Sequence, residues 1–349
     1  MNIDEILTAA NEHQASDIFL QEGQPPRLKI NEQIMFFGEE PVSLANMVAL
    51  WTACGADASL DLDKDSGLIS QEGIRFRVNL HRVLGRIGAV LRRIRTDIPP
   101  LVDLGAPDWL LTRWALKPYG IILVTGPTGT GKSTTLASLL QWLNENAARH
   151  IVTIEDPVEY IFTNQNCLFT QREVGRDTPT FARGLRGAMR QAPDVIFVGE
   201  IRDHDTALTA LQASETGHLV LASLHSERVS DTMERFLNLF PSDQVNLGLH
   251  LLAHQLIGVL CQKLVPRTDG KLMLLTEYLE NGGAVRDWIA RRDVDHIHEY
   301  MQRGSDPNSQ TFLNAILNAY KSGLIDESTA IVATGNETEF RRASRGITS

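Results

Sequence analysis

The sequence is poor in cysteine, and its three cysteines, Cys54, Cys167 and Cys261, lie far apart without forming a C-x-x-C pair. This spacing excludes a disulfide framework and a cysteine-rich zinc site, and it favours a reducing compartment. Basic residues are also in the minority, with 33 Lys and Arg against 43 Asp and Glu and a net charge of −10. Such a balance argues against a protein whose whole surface binds nucleic acid, but it is compatible with a local basic patch.

Targeting and membrane-spanning signals are missing as well. The first residues, MNIDEILTAANEH, carry acids and no basic segment, so they do not have the pattern of a signal peptide. The most apolar stretch, residues 247–261, contains His250, His254 and Gln255 and is too short and too polar to span a bilayer. We expect a buried helix there and no transmembrane segment, so that any work at a membrane depends on a partner.

The length of 349 residues is enough for about two domains. Short helix and strand patterns over 1–97, including a β-hairpin pattern over 74–94, predict a small α+β domain. The proline-containing stretch 98–106 predicts a linker. Over 107–335, the apolar runs IILVTG, IVTIED, VIFVGE and LVLASLH alternate with helix-length segments, which predicts an α/β domain built on a parallel sheet. The part after residue 226 is expected to be mostly helical, and 336–349 to be a polar, mobile tail.

The segment GPTGTGKS, residues 126–133, matches the phosphate-binding pattern G-x-x-x-x-G-K-[ST] between a strand and a helix. The glycines let backbone N–H groups face phosphates, and the helix N-terminus adds partial positive charge. Lys132 can reach the β- and γ-phosphates of ATP, and the Ser133 hydroxyl can ligate Mg²⁺. A glycine-rich turn that fits by chance is the alternative, which the flanking strand and helix disfavour. The predicted nucleotide contacts are Gly126, Pro127, Thr128, Gly129, Thr130, Gly131, Lys132, Ser133 and Thr134.

A second apolar strand, VIFV, ends in Gly199-Glu200 rather than in the aspartate that often holds magnesium. Ligands collect at the carboxyl ends of parallel strands, so Glu200 could reach Mg²⁺ directly or through its water shell. The alternative is an exposed strand-end carboxylate paired with Arg202. Beside Lys132 and Ser133 we favour the metal role. We predict that Lys132 and Glu200 converge on one nucleotide from two adjacent strand ends.

Two further strand ends carry groups suited to hydrolysis, which needs a carboxylate that positions or deprotonates a water molecule. IVTIEDPVEY supplies Glu155 and Glu159, and the residues alone do not rank one above the other. A solvated acidic loop is the alternative. TGHLVLASLH places His218 before a strand and His225 at its end, where it could sense the γ-phosphate. A structural histidine is the alternative there.

The predicted hairpin is rich in arginine. One interpretation is a solvated strand face, and another is a nucleic-acid stripe, for which only Phe76 offers a stacking surface. A third is a set of arginines donated to a phosphate, whose developing charge guanidinium groups stabilise. Because the hairpin belongs to a separate domain, the third interpretation favours donation to a neighbouring subunit's ATP. The arginines are Arg75, Arg77, Arg82, Arg86, Arg92, Arg93 and Arg95.

In this order, the segments GPTGTGKST, TIEDPVEY, PDVIFVGEIRD and ETGHLVLASLH resemble the secretion ATPase superfamily, and within it the type IV pilus retraction ATPases. The likeness runs from ASDIFLQEGQPPRLKINEQI to about residue 330. The spellings TQREVG, RQAPDV and LRRI are closer to the accessory retraction ATPases than to the principal ones. AVRDWIAR, residues 284–291, matches the AIRNLIRE-like motif of the principal branch imperfectly. The lack of a four-cysteine zinc motif disfavours the assembly and type II secretion branches.

The resemblance implies a PAS-like N-terminal α+β domain and a RecA-like P-loop ATPase domain, with ATP and Mg²⁺ as cofactors. It implies that Glu159 is the catalytic carboxylate in an aspartate box with Glu155, and that Glu200 is an atypical Walker B residue on the magnesium side. His218 and His225 would form the histidine box. The hairpin departs from the family's spacing near Gly85-Arg86. The arginines that would reach phosphate are Arg77, Arg82, Arg86 and Arg92.

The resemblance also implies a cytoplasmic homohexamer that is peripheral at the inner membrane through the pilus machinery. Its expected partners are an inner-membrane platform protein and a paralogous retraction ATPase, without direct contact to nucleic acid. The expected function is an ATP-hydrolysing motor that powers pilus retraction in twitching motility, as an accessory retraction ATPase. Two alternatives stay open: a nucleic-acid-dependent RecA-type motor, and an ATP-binding ring subunit that assists a paralogue.

Overall fold

The computed structural model describes residues 2–30, 33–94 and 97–346. The chain divides into two compact units. The first comprises Met1–Thr96 together with Glu159–Ile161, and the second comprises Asp97–Val158 and Phe162–Ser349. The second unit therefore includes the stretch 98–106 that was predicted to be a linker, while three residues of the acidic segment group with the first unit.

In the described residues of the N-terminal unit, six strands form an antiparallel sheet that is accompanied by two helices. The strands run in the order β3-β2-β1-β6-β5-β4, and every neighbouring pair is antiparallel. Ser43 caps α2 by accepting a hydrogen bond from the Asn46 N–H. The elements are α1 (Ile3–Glu12), β1 (Asp17–Gln21), β2 (Arg27–Ile30), β3 (Gln33–Phe36), α2 (Leu44–Ala53), β4 (Asp63–Ile69), β5 (Arg75–Val83) and β6 (Arg86–Arg93).

The β5–β6 hairpin confirms the pattern predicted over 74–94, and its alternation separates a core face from a polar face. Phe76, Val78 and Leu80 are buried in the core of this unit. Arg77 lies between them and is directly opposite Arg92 in the strand register. Because successive side chains of a strand point to opposite faces, both arginines belong to the face that the core does not use.

The second unit is a three-layer α/β structure, because helices cover a mostly parallel sheet whose central strands are almost entirely buried. A short 3₁₀ turn, Leu101–Leu104, precedes its first helix. The elements are α3 (Asp108–Ala115), β7 (Gly120–Thr125), α4 (Lys132–Asn146), β8 (His150–Glu155), β9 (Leu168–Glu173), α5 (Phe181–Ala188), β10 (Val195–Val198), α6 (His204–Glu215), β11 (Leu219–Leu224), α7 (Val229–Leu237), α8 (Val245–Gln255), β12 (Leu256–Pro266), β13 (Leu272–Glu280), α9 (Gly283–Ala290), α10 (Val294–Arg303), β14 (Ser309–Gln310), α11 (Phe312–Lys321), α12 (Glu327–Thr334) and α13 (Glu337–Ser344).

The large sheet has the strand order β14-β13-β12-β7-β11-β10-β8-β9. The run from β12 to β9 is parallel throughout, and β13 and β14 continue it antiparallel. The carboxyl ends of β7, β11, β10 and β8 therefore lie along one edge in that order. This edge is where an α/β sheet of this kind binds ligands.

The prediction of one buried helix over 247–261 is wrong. Helix α8 ends at Gln255, and β12 begins at Leu256 and pairs with β7. A short apolar run does not distinguish a buried helix from a buried strand. Gly258 supports the strand, because a Cβ atom there would lie 2.4 Å from the Trp114 ring. The region after residue 226 is consequently less helical than expected, since β12 and β13 are among the longest strands.

The segments expected to be a linker and a mobile tail are both folded where the structure describes them. Leu101 is buried, and the Ser138 hydroxyl of α4 donates a hydrogen bond to the Pro99 carbonyl at 2.7 Å. Residues 337–344 form α13, whose Phe340 is only 1% exposed and packs edge-on against Tyr320. One buried aromatic among polar residues was too weak a pattern to reveal this helix. Among the described residues, no helix is both long and apolar enough to cross a bilayer.

Candidate functional site

The phosphate-binding loop between β7 and α4 has the backbone that its glycines permit. Gly126, Gly129 and Gly131 have φ values of 147°, 83° and 87°, a range that residues with a Cβ rarely adopt. Gly126 is also sterically confined, because a Cβ there would lie 2.5 Å from the Gln262 carbonyl oxygen. No side chain caps the N-terminus of α4. The first N–H groups of this 15-residue helix are thus suited to bind an anion.

Lys132, His225 and Glu200 form a continuous chain of contacts at the carboxyl edge of the sheet. The Lys132 Nζ donates to the carbonyl oxygens of Gly126 and Pro127 at 2.8 and 2.9 Å and lies 3.4 Å from the His225 Nδ1. The His225 Nε2 lies 3.2 Å from a Glu200 carboxylate oxygen. One ammonium, one imidazole and one carboxylate therefore meet at the end of the phosphate-binding loop.

Lys132 and Glu200 lie at the same edge of the sheet and are joined through His225, but the predicted adjacency of their strands is wrong. Lys132 follows β7 and Glu200 follows β10, and β11 lies between these two strands. The intervening strand ends at Leu224 and supplies His225 at the gap. The histidine is consequently the group that bridges the other two.

The ion pair between Glu200 and Arg202, the alternative to a metal role, is present in the structure. The second carboxylate oxygen of Glu200 lies 2.7 Å from the Arg202 guanidinium, and Arg202 reaches Asp156 at 3.9 Å. The hydrogen bond that Arg202 donates to Glu200 raises the pKa of Arg202. Arg202 is more than half exposed, whereas the Glu200 side chain is 15% exposed. Glu200 is thus a mostly buried carboxylate that contacts His225 on one side and the exposed Arg202 on the other.

The two candidate catalytic carboxylates have different surroundings. Glu155, at the end of β8, is 6% exposed and accepts hydrogen bonds from the Thr153 hydroxyl at 2.7 Å and the Gln171 amide at 3.4 Å. Its Cα lies close to Gly199, since a Cβ on that glycine would approach it to 3.3 Å. Glu159 is exposed and groups with the N-terminal unit. Glu155 is therefore fixed beside the β10 end, whereas Glu159 lies outside the sheet.

The structure does not bring His218 to the site. His218 precedes β11, so the six residues of the strand separate it from His225 by about 20 Å at 3.3 Å per residue. Its Nδ1 lies 2.9 Å from the Ala213 carbonyl, at the end of α6. His218 therefore serves the opposite edge of the sheet, and within this subunit the histidine box contributes one residue to the phosphate end.

The four candidate arginines of the N-terminal unit have unequal freedom. Arg82 is engaged structurally, because its guanidinium donates to the carbonyls of Asp61 and Ala58. The Arg92 Nε donates to the buried Asp17 carboxylate at 2.8 Å, yet 68% of the Arg92 side chain is exposed. Arg77 lies opposite Arg92, and Arg86 is exposed at the start of β6. Arg82 is thus the least suited of the four to reach a phosphate.

A buried hydroxyl network that the sequence did not reveal lies beneath the loop. The Thr232 hydroxyl, in α7, is 2.6 Å from the Ser226 hydroxyl and 3.3 Å from that of Thr125, the residue before Gly126. Thr125 also donates to the Cys261 sulfur at 3.0 Å. The network ties the base of the phosphate-binding loop to the segment that carries His225. Its threonines are far apart along the chain, so no local pattern could have identified them.

The sequence profile described as Type II/IV secretion system protein matches residues 1–305. The chain belongs to this family. Relatives named for pilus systems match over 98% and 95% of the chain, so the assignment rests on both units and not on the phosphate-binding loop alone.

Two relatives in this secretion family come from Pseudomonas aeruginosa. The chain is 35% identical to its type IV pilus ATPase PilU over 98% of the chain and 91% of PilU. It is 34% identical to the type IV pilus retraction ATPase PilT over 95% of the chain and 97% of PilT. A resemblance closer to PilU, as the sequence segments indicated, is consistent with these values.

Two solved ATPase structures have the same fold as this chain. The crystal structure of the pilus retraction motor PilT with bound ADP superposes with a TM-score of 0.89 at 36% identity, covering 98% of this chain and 99% of PilT. The Legionella pneumophila ATPase DotB gives a TM-score of 0.84 at 29% identity, with 95% of both chains covered. The predicted fold class, a P-loop α/β ATPase domain with an N-terminal domain, is confirmed.

The side chains at the phosphate-binding edge fit Mg²⁺, the cofactor that the family resemblance implies. Ser133 and Glu200 offer a hydroxyl and a carboxylate, the hard oxygen ligands that Mg²⁺ prefers. Within the described ranges, no group of three or more His, Cys, Asp or Glu side chains forms a metal-binding cluster. Mg²⁺ in ATP sites typically binds one or two protein oxygens together with phosphate oxygens and water, so a dedicated cage is not required.

Proposed function

We propose that this chain hydrolyses ATP and that hydrolysis drives the retraction of type IV pili. The observation that carries the proposal is the contact chain from Lys132 through His225 to Glu200 at the mouth of the phosphate-binding loop. These three groups match the needs of phosphoryl transfer, where catalysis is mostly positioning and charge stabilisation. The full-length similarity to PilU and PilT supports a pilus as the object of the motor.

The proposed chemistry assigns a task to each group. The N–H groups of residues 126–134 bind the phosphates, and the Lys132 ammonium neutralises charge on the β- and γ-phosphates. Ser133 and Glu200 hold Mg²⁺, which supplies charge neutralisation on the same oxygens when it is bound. His225 touches both Lys132 and Glu200, so it is placed to report the γ-phosphate to the segment that follows it.

The arginines are proposed to act between subunits of a homohexamer. Arg92 is largely exposed and lies beside Arg77 on the polar face of the hairpin. A guanidinium supplied by a neighbouring subunit is an established way to stabilise the charge of a transferring phosphoryl group, with effects of about 10³–10⁵ in rate. We assign this role to Arg92 first, with Arg77 and Arg86 as supporting residues.

For the water-activating carboxylate we propose Glu159, with Glu155 positioning the strand end. Glu155 already accepts hydrogen bonds from Thr153 and Gln171, which lowers its availability as a base. We expect Glu159→Gln to leave nucleotide affinity unchanged and to lower kcat by about 100-fold, the range typical of general-base loss. Glu155→Gln is the matched variant, since a glutamine oxygen can still accept from Thr153. Steady-state hydrolysis decides between them. A greater loss in Glu155→Gln, with turnover retained in Glu159→Gln, would move the role to Glu155.

The imperfect AVRDWIAR segment, part of which forms α9, supports an accessory retraction ATPase that works beside a paralogous one. We further propose that the hexamer acts in the cytoplasm on an inner-membrane platform protein. The rival ATP-binding subunit without hydrolysis is disfavoured, because the loop lysine, the histidine and the strand-end carboxylate are all in contact.

The function is tested by hydrolysis assays and by a deletion strain. The purified chain is expected to hydrolyse ATP at a rate that single-stranded DNA does not change, because the chain is acidic and offers few stacking aromatics. Deletion of its gene is expected to leave assembled pili while twitching motility is reduced. Strong stimulation by single-stranded DNA, together with normal twitching in the deletion strain, would support the nucleic-acid motor instead.

A further inference from the structure

A buried carboxylate outside the nucleotide groups joins two helices. Glu277, in β13, is 7% exposed. One of its oxygens accepts the Val229 N–H at 2.8 Å, and the other accepts the Phe312 N–H at 3.1 Å. Val229 and Phe312 are the first residues of α7 and α11. A single side chain therefore caps two helix N-termini that lie 83 positions apart along the sequence.

The capping by Glu277 has an electrostatic reason. The N-terminal N–H groups of a helix have no partner within the helix and carry partial positive charge, so they favour an anion. The residue before α7, Arg228, makes no side-chain cap, which leaves this task to Glu277. Burial raises the pKa of Glu277, while the two N–H bonds and the nearby Arg228 and His298 counteract this. A carboxylate in such a place is costly unless its bonds are satisfied, so its position is closely defined.

Helix α7 is also the helix that follows His225, the residue proposed to sense the γ-phosphate. Three residues separate His225 from Val229. The Thr232 hydroxyl, one turn into α7, contacts Ser226 and Thr125 at the base of the phosphate-binding loop. The start of α7 is therefore held on one side by the loop network and on the other by Glu277. A displacement of His225 would act on both attachments.

Glu277 also connects the start of α7 to the C-terminal helices. Its second oxygen binds the start of α11, and α11 packs with α12 and α13. The Phe340 side chain of α13 closes this group against Tyr320 of α11. One path from His225 to the C-terminal helices thus passes through a single side chain with two hydrogen bonds.

We propose that Glu277 is a positioning residue that sets the His225 segment for hydrolysis and transmits the nucleotide state to the C-terminal helices through the α11 N-terminus. This proposal rests on the proposed function, since it assumes that His225 senses the nucleotide. In this proposal the contacts of Glu277 have two states. Both hydrogen bonds are made in one arrangement of α7, and one of them is weakened in the second arrangement. The proposal thus gives the C-terminal helices a part in the motor stroke.

The test compares the full chain with Glu277→Gln and with Glu280→Gln. Glutamine places an NH₂ group where one oxygen accepted an N–H, so one cap bond is lost. Glu280 is the matched control, since it is in the same strand but pairs with Arg113 and Lys117 and caps no helix. Backbone hydrogen exchange over 226–232 and 312–316 is measured with and without ADP or a non-hydrolysable ATP analogue and Mg²⁺, alongside steady-state hydrolysis.

In the unaltered chain and in Glu280→Gln, nucleotide is expected to slow exchange in both segments. In Glu277→Gln, nucleotide affinity is expected to stay within about threefold, kcat to fall about tenfold, and the nucleotide-dependent change over 312–316 to disappear. A purely structural role would raise exchange in both segments and leave the nucleotide-dependent difference intact. That result would overturn the proposal.

Val229→Pro provides a second variant in case Glu277→Gln does not fold. Proline removes the N–H that Glu277 accepts without removing a hydrogen bond within the helix, and it is favoured at the first position of a helix. Arg228 has φ −133° and ψ 163°, an extended conformation that a following proline requires. We expect the same loss of the nucleotide-dependent change over 312–316. Unaltered coupling in a folded Val229→Pro variant would contradict the proposal.

The outcomes separate this inference from the proposed function. If the unaltered chain hydrolyses ATP but nucleotide leaves exchange over 312–316 unchanged, the inference fails and the function stands. If the unaltered chain binds nucleotide but hydrolyses no ATP, the proposed function fails, and the exchange difference still decides the coupling through Glu277.

Discussion

Lys132→Ala is expected to abolish tight nucleotide binding. Lys132 is the cation at the mouth of the phosphate-binding loop, and its Nζ lies within hydrogen-bond distance of the Gly126 and Pro127 carbonyls. Without it, the β- and γ-phosphates would enter a mostly buried site with no lysine to neutralise them. We expect at least about a 100-fold weaker Kd for ATP, or about 2.8 kcal/mol, measured by calorimetry or by a fluorescent analogue.

The control for this variant is Lys117→Ala. Lys117 lies in the same unit but pairs with Glu280 at 3.3 Å, so its loss is expected to leave nucleotide affinity unchanged. Unchanged affinity in Lys132→Ala would contradict the assignment of the loop.

The Lys132→Ala variant also tests the arginines, because mixing it with Arg92→Ala subunits should restore some hydrolysis if Arg92 acts on a neighbour's ATP. Mixed rings without any recovery would argue against that action.

Glu200→Gln is expected to separate binding from hydrolysis. Glutamine is nearly the same size but lacks the charge with which Glu200 faces the magnesium side and His225. We expect the Kd for ATP to change by less than about threefold and kcat to fall by at least about 100-fold, since metal-linked charge stabilisation is worth several kcal/mol. Steady-state hydrolysis at saturating ATP and Mg²⁺ measures this change.

Two control variants show whether the effect of Glu200→Gln is specific to this carboxylate and independent of its ion pair. Glu215→Gln alters an exposed carboxylate at the end of α6 and should leave turnover unchanged. Arg202→Ala removes the ion-pair partner of Glu200 and should reduce turnover much less than Glu200→Gln. If both Glu200→Gln and Arg202→Ala cause the same loss, the ion pair rather than the metal side is the role of Glu200.

The phosphate-binding loop was predictable because its physics is local. Gly126, Gly129 and Gly131 reveal a backbone that only glycine tolerates, and Lys132 follows at a fixed spacing. The placement of Lys132 and Glu200 at one edge of the sheet was predictable from the rule that ligands gather at carboxyl strand ends. The strand between them was not, because the order of strands in a sheet depends on pairings that a single sequence does not display.

Other features depended on contacts between distant parts of the chain. Glu277 looks like any strand residue until its two helix partners are known, and Thr232 looks like an ordinary helical threonine. Residues 256–261 carry an apolar pattern compatible with either helix or strand, and pairing with β7 decides it. Phe340 is buried only because α11 and α12 provide a surface for α13. In each case the deciding partner lies more than 20 residues away or in another element.

A crystal structure of the full chain with a non-hydrolysable ATP analogue and Mg²⁺ tests the central claim most directly. The account predicts one nucleotide whose terminal phosphates lie within hydrogen-bond distance of the Lys132 Nζ, with Glu200 on the metal side and His225 between them. A nucleotide bound elsewhere, or Lys132 and Glu200 facing different surfaces in that structure, would contradict it.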